Sequence, residues 1–117
     1  MILKKDIQIM IEKNTIAFAT INKDGTPHNI AVCCVKIKGD RIIITDNYMK
    51  IAMENVLKNP NVSLVVFDKK EGYRINGKAN YYNRGSWLKF VKSIRKNKGY
   101  PGKGAIVVKI NEIRKLS

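Results

Sequence analysis

Acidic residues are scarce in this chain of 117 residues: nine Asp and Glu stand against 23 Lys and Arg, with one histidine. The few carboxylates are scattered, so no pair for acid–base work can be picked out. Cysteine is nearly absent. The only two, Cys33 and Cys34, are adjacent, and neighbouring strand residues point to opposite faces, so a bridge between them would be strained. A disulfide scaffold and a four-cysteine zinc site are thereby excluded. The lone His28 excludes a histidine-rich metal site and any mechanism that needs two imidazoles. No stretch approaches the roughly 18 consecutive apolar residues of a membrane helix. A Walker loop, a dinucleotide glycine fingerprint, an HExxH pair and a nucleophile-elbow serine are all missing. The sequence is therefore not that of a self-contained hydrolase, and any chemistry rests on a cofactor. The opening Met1–Asp6 lacks the charged start, apolar stretch and cleavage site of a signal peptide. Together with reduced thiols this gives the expectation of a cytoplasmic protein with no membrane association.

What is present fits one domain spanning residues 1–117. A chain of this length buries roughly 65% of its unfolded surface, enough for its own core. Hydrophobic residues make up 44% and charged residues 27%, both ordinary values. The net charge of +14 is unevenly spread, +3 over residues 1–60 and +11 over residues 61–117. Such an excess attracts polyanions, acidic membranes or phosphorylated small molecules. Arg84, Lys89, Lys92, Arg95, Lys96, Lys98 and Lys103 form a basic run near Trp87 and Tyr100. No nucleic-acid recognition motif accompanies it, so the expected partner list holds no specific nucleic acid.

Leu3, Ile7, Met10 and Ile11 recur at helical spacing and predict a helix over 3–13. Strands are predicted over 15–22, from about His28 to Ile37, and from Arg41 to Thr45, with Asp24-Gly25 and Lys38-Gly39-Asp40 as turns. Their close succession predicts an antiparallel meander. Asp46 and Asn47 are good helix N-caps for a helix ending near Lys58, before Pro60. Strands follow over 61–67 and 73–82, then a helix over 84–97 with Trp87, Phe90, Val91 and Ile94 on one stripe. A last strand runs from Gly104 to about Leu116. The expected architecture is mainly β with flanking helices, a small six-stranded antiparallel barrel.

The junction Thr45–Glu54 stands out, because a strand end running into a helix start exposes free N–H groups and the positive end of a helix dipole. Lys50 lies in the first turn, where a lysine is unfavourable for the helix itself. At about 100° per residue, Met49, Ala52, Met53, Val56 and Leu57 share one arc, and Ile51 falls opposite among Glu54, Asn55 and Lys58. Of Cys33 and Cys34, one side chain is expected to enter the core and the other to point away from it, each as a small hydrophobe in preference to a redox group; His28 reads as a surface histidine, and Trp87 as core or interface.

The ordered set Ala17-Phe18-Ala19-Thr20, Asp24-Gly25-Thr26-Pro27, Thr45-Asp46-Asn47-Tyr48-Met49-Lys50, Asn55, Asn59-Pro60-Asn61-Val62 and Gly77-Lys78-Ala79 resembles the pyridoxamine 5′-phosphate oxidase-like FMN-binding split barrels, especially their short single-domain members. The resemblance covers almost the whole chain. It implies a six-stranded split β-barrel, a homodimer, and one FMN per subunit at the dimer interface. Position by position it places Ala31, Val32 and Cys33 beside the isoalloxazine, largely through backbone. It places Thr45, Asp46 and Asn47 at the ribityl and phosphate side, and Lys50 on the phosphate. Relatives carry a second Lys followed by Thr where this chain has Ile51 and Ala52. The Arg and His that grip substrate in pyridoxamine-phosphate oxidases have no match in the stretch Asn111–Ser117, so that activity is not expected. The implied function is an FMN-dependent oxidoreductase or electron carrier. The alternative is a basic split barrel without cofactor that binds nucleic acid non-specifically or other anions.

Overall fold

A computed structural model describes residues 1–116. Helix α1 (Lys5–Lys13) leads into strands β1 (Ile16–Ile21), β2 (Pro27–Val32), β3 (Val35–Lys38) and β4 (Arg41–Asp46). Helix α2 (Ile51–Lys58), strands β5 (Asn61–Phe67) and β6 (Gly72–Tyr82), helix α3 (Gly85–Ser93) and strand β7 (Gly104–Lys115) complete the order. All strands join one antiparallel sheet in the order β2-β1-β5-β6-β7-β4-β3.

Two expectations change here. The sheet has seven strands, not six, because the apolar run from His28 to Ile37 is not one strand: Cys33 and Cys34 leave the ladder and split it into β2 and β3. Nor do residues 15–45 form a meander. β2 pairs with β1, β3 pairs with β4, and the two halves lie on opposite edges of the sheet. Three Cα steps separate Val32 from Val35, a span of at most about 11 Å. A flat seven-stranded sheet would hold its edges roughly 29 Å apart. The sheet therefore curls until its edges meet near Cys33–Cys34, giving a split barrel.

Alternation then sorts the side chains. Ile16, Phe18 and Thr20 of β1 are buried, and their partners across the ladder are Val32, Ile30 and His28. Ile16, Phe18, Ile30 and Val32 join Ile42, Ile44, Leu64, Val66, Ile75, Ile106 and Val108 in the main core. α1 adds Ile7, Met10 and Ile11, and α2 adds Ala52 and Val56. The predicted stripe of the third helix packs outside the barrel, where Val91 and Ile94 cover Cys34, Ile43, Ala105 and Val107. That helix is shorter than expected. Ile94 is extended (φ −69°, ψ 121°), and a 3-10 turn over Arg95–Asn97 follows. At the rim, Lys38 on edge strand β3 places Nζ 5.0 Å from the Phe90 ring and 5.9 Å from the Trp87 ring.

The longest pairing, β6 with β7, depends on a glycine. Between Asn76 and Gly77 the register shifts, leaving Asn111 without a partner as a β-bulge. A Cβ at Gly77 would collide with the Lys109 carbonyl oxygen and lie 2.7 Å from Val108 Cγ1. Gly77→Ala is expected to destabilise the fold by about 1–3 kcal/mol, the usual cost of overpacking. The neighbouring exposed Lys78→Ala should stay within about 0.5 kcal/mol. Chemical denaturation of both variants checks this, and equal midpoints would contradict the packing argument.

Candidate functional site

Where the curled sheet meets itself, a cavity of about 400 Å³ opens, within the size range of small-molecule sites. One wall is β2, with His28, Ile30, Ala31 and Val32; Cys33 and Cys34 continue it. Thr45 at the end of β4, residues Asn47–Lys50 and the start of α2, Ile51 and Ala52, form the rest. Lys50 is the only permanently charged side chain in this lining, and no carboxylate belongs to it.

The β2 wall offers backbone as well as side chains. The β1–β2 hairpin is closed by Asn22 N–H donating to Thr26 O at 2.8 Å. By antiparallel alternation, His28, Ile30 and Val32 then exchange hydrogen bonds with β1, while the N–H and C=O of Asn29 and Ala31 turn toward the open edge. Pro27, which has no N–H, falls in the same outward set, as an edge strand allows.

Thr45 is 4% exposed. Its N–H donates to Cys34 O at 3.1 Å, but its Oγ1 is buried without a partner. A buried hydroxyl left unpaired is costly, and Thr45 is one of the residues that line the cavity. Beside it, the first hydrogen bond of α2 is Glu54 N–H to Lys50 O at 3.0 Å. The N–H groups of Ile51, Ala52 and Met53 therefore have no intrahelical acceptor, and the helix dipole favours an anion there. Lys50 is exposed at the N-cap position and has no side-chain cap bond.

Asp46 and Asn47 are not the N-caps their sequence suggests. The helix starts four residues later, at Ile51, and both side chains shape the preceding loop. Asp46 is fully buried and lies outside the cavity lining. Its Oδ1 accepts from Met49 N–H at 2.8 Å and its Oδ2 from Tyr81 Oη–H at 2.7 Å. Lys103 Nζ stands 3.9 Å from Oδ1. Desolvation, then the hydrogen bond to Asp46 and the charge of that carboxylate, push the Tyr81 phenol far above its ordinary range, so it remains a donor. Asn47 borders the cavity, yet its amide is spent elsewhere: Nδ2 donates to Asn97 Oδ1 at 2.7 Å and Oδ1 accepts from Gly102 N–H at 2.8 Å.

Ala31, Val32, Cys33, Thr45, Asn47 and Lys50 thus come together around one cavity, and Asp46 supports it from behind. Ile51, off the apolar arc, is half exposed at the same mouth. Leu57 departs from the arc and is 63% exposed. Its place is taken by buried Asn55, whose Nδ2 donates to Thr20 Oγ1 at 3.0 Å and to Asn22 Oδ1 at 2.9 Å, tying α2 to β1. Sequence reasoning missed His28, Ile30, Tyr48 and Met49 as lining residues. His28 is no plain surface residue: it lies opposite Thr20 in the ladder and is partly buried against the cavity. The alternation of His28, Ile30 and Val32 was the available signal.

A curled antiparallel sheet with a ligand-sized cavity at its split defines a split-barrel binding protein. The family model for pyridoxamine 5′-phosphate oxidase matches residues 3–117, and the chain belongs to that family. It is 34% identical to an uncharacterized protein of Methanocaldococcus jannaschii over 97% of this chain and 80% of that protein. Among solved structures it is similar to HupZ of Group A Streptococcus, with a TM-score of 0.88 at 19% identity, covering 97% of this chain and 94% of that one. An FMN-binding protein from Syntrophomonas wolfei gives a TM-score of 0.77 at 16% identity, over 94% and 83% of the two chains. At these identities the solved structures establish a shared fold. Among the described residues no helix is long and apolar enough to cross a membrane.

The Asp46–Tyr81 bond makes a pH-dependent prediction. The folded phenol titrates above its free value of 10.0, so its contribution to stability is fully present below that pH and is lost as pH rises above it. Tyr81→Phe leaves a buried carboxylate oxygen short of a donor and should cost about 1–3 kcal/mol near neutrality. The gap between wild type and variant should hold steady up to pH 10.0 and narrow above it. Urea denaturation across that range reads the gap, and one that never narrows would contradict the assignment.

Proposed function

We propose that this protein binds FMN in the seam cavity and serves as an FMN-dependent oxidoreductase or electron carrier. The observation that carries the proposal is the convergence around one cavity of an open β2 edge, the unpartnered Thr45 hydroxyl, the free N–H groups of α2 and Lys50. These suit a planar ring with an anionic tail. Ile30, Ala31 and Val32 give the ring an apolar wall with backbone groups along it. Thr45, Lys50 and the N-terminus of α2 supply donors and positive potential for a phosphate dianion. When bound, FMN supplies electron transfer in one- or two-electron steps, and this chain's residues hold and orient it. Family membership supports the same reading.

A homodimer belongs to this proposal. Tyr48 (76% exposed) and Ile51 (49%) flank the mouth together with exposed Cys33, and a second subunit closing the cavity would cover them. Sedimentation equilibrium should give twice the chain mass of 13.3 kDa, and a monomer at micromolar concentration would remove the dimer from the proposal.

One observation favours a second reading. Ile51 and Ala52 occupy the first turn of α2, so the anion end has a single lysine. A barrel that takes other anions without a flavin would look the same there, and its binding would be electrostatic and salt-sensitive.

Lys50→Ala separates the readings. A hydrogen bond to a charged group contributes roughly 1.5–3 kcal/mol, so FMN binding should weaken by about 10- to 150-fold. Riboflavin, which lacks the phosphate, should bind almost unchanged. Flavin fluorescence titration with both ligands decides: equal losses for the two, or no loss for either, would sink the phosphate assignment.

A further inference from the structure

The segment between α3 and β7, residues 94–103, makes more polar contacts with the cavity loop 46–50 than its position in the sequence suggests. Four of them are hydrogen bonds. Asn97 Oδ1 accepts from Asn47 Nδ2 at 2.7 Å, and Gly102 N–H donates to Asn47 Oδ1 at 2.8 Å. Lys103 N–H donates to Asp46 O at 2.9 Å, and Lys103 Nζ donates to Met49 O at 2.8 Å. Each end of the cavity loop is therefore gripped, at Asp46–Asn47 and at Met49, immediately before Lys50. None of Asn97, Gly102 and Lys103 borders the cavity.

The segment is built for this shape. Gly99 and Gly102 adopt positive φ (91° and 53°), a conformation only glycine takes without cost. Lys92 Nζ donates to Pro101 O at 3.2 Å, pinning the segment to α3. Asn97 is 4% exposed although its neighbours Arg95, Lys96, Lys98 and Gly99 are all exposed. Its buried carbonyl oxygen is committed to Asn47.

We infer that residues 94–103 are a strap that presets the 46–50 loop for an anionic ligand, with Asn97 and Lys103 as positioning residues that never touch the ligand. The inference rests on the proposed phosphate site and deepens it. Lys50 is exposed and has no side-chain cap bond, so the backbone that carries it decides where its ammonium can reach. Holding that backbone before binding lowers the ordering cost at the moment of binding. The benefit falls on a ligand that contacts the loop's anion end and not on one that contacts only the β2 wall.

The test uses the full chain with Asn97→Ala, Lys103→Met and, as a charge-matched control, Lys98→Met, an exposed lysine of the strap whose side chain makes none of the contacts with 46–50. FMN and riboflavin affinities are measured by fluorescence titration, and amide hydrogen exchange over residues 46–50 is followed without ligand. Asn97→Ala and Lys103→Met are each expected to weaken FMN about 5- to 10-fold, the effect of one lost hydrogen bond. Riboflavin should change less than about twofold, Lys98→Met should behave nearly as wild type, and exchange over 46–50 should speed up in the two strap variants only. A merely structural role would weaken both flavins together and overturn the inference. So would unchanged FMN affinity in both strap variants. If wild type binds no FMN, the flavin proposal fails, and the strap is judged on exchange alone: unchanged protection of 46–50 in both variants would overturn it too. Should Asn97→Ala not fold, Lys103→Met, altered at a half-exposed side chain, carries the test.

Discussion

The crossing of two residues at Cys33 and Cys34 governs this structure. Because β2 and β3 are the two outermost strands and only those residues separate them, the sheet has no freedom to lie flat. Thr45 N–H donates to Cys34 O at 3.1 Å, one step beyond the Val35–Ile44 pair, so the crossing that follows β2 also holds the end of β4 beside it. The cavity is what remains where two edges approach but do not pair. Its wall of unpaired backbone groups and its unsatisfied threonine hydroxyl arise from the same constraint.

Around that opening the protein assembles positive potential without clustering cations. Lys50 is the one lysine in the lining, and the rest comes from uncapped N–H groups at the start of α2. Behind it sits a buried carboxylate, which would normally work against anion binding. Asp46 is instead absorbed by Met49 N–H, Tyr81 Oη–H and Lys103, so its charge is matched locally. The same three partners fix the loop. Gly104 belongs to this arrangement: a Cβ there would run into the Tyr81 hydroxyl, so the phenol reaches Asp46 only because the facing residue has no side chain.

Local pattern made much of the fold legible. The strand over 61–67 has the bounds expected of it, and the alternation of Tyr73, Ile75, Gly77, Ala79 and Tyr81 against their neighbours matches the burial along β6. The break at Cys33–Cys34 was masked because residues Ile30–Val35 are apolar without interruption, which hides the change of phase between Val32 and Val35, and because pairing partners depend on closure. At the site, the strand–helix junction and the β2 wall could be located from residue type and resemblance. The part played by Asp46 could not. Whether an acid at a strand end faces ligand or interior depends on Tyr81 and Lys103, which are remote in sequence. Asn55 was hidden similarly: a polar residue on a helix reads as solvent-facing until Thr20 and Asn22 are found beneath it.

The split leaves two sheet edges without strand partners, and both are blunted. Pro27 removes a donor from β2, while Lys36 and Lys38 stand along β3. Lys38 is held over Trp87 and Phe90, which keeps its ammonium at the rim of the edge. A strand approaching from another molecule would have to desolvate that charge before gaining a ladder hydrogen bond. An approaching strand would therefore meet a missing donor at Pro27 on one edge and a lysine charge on the other, two features that discourage edge-to-edge pairing.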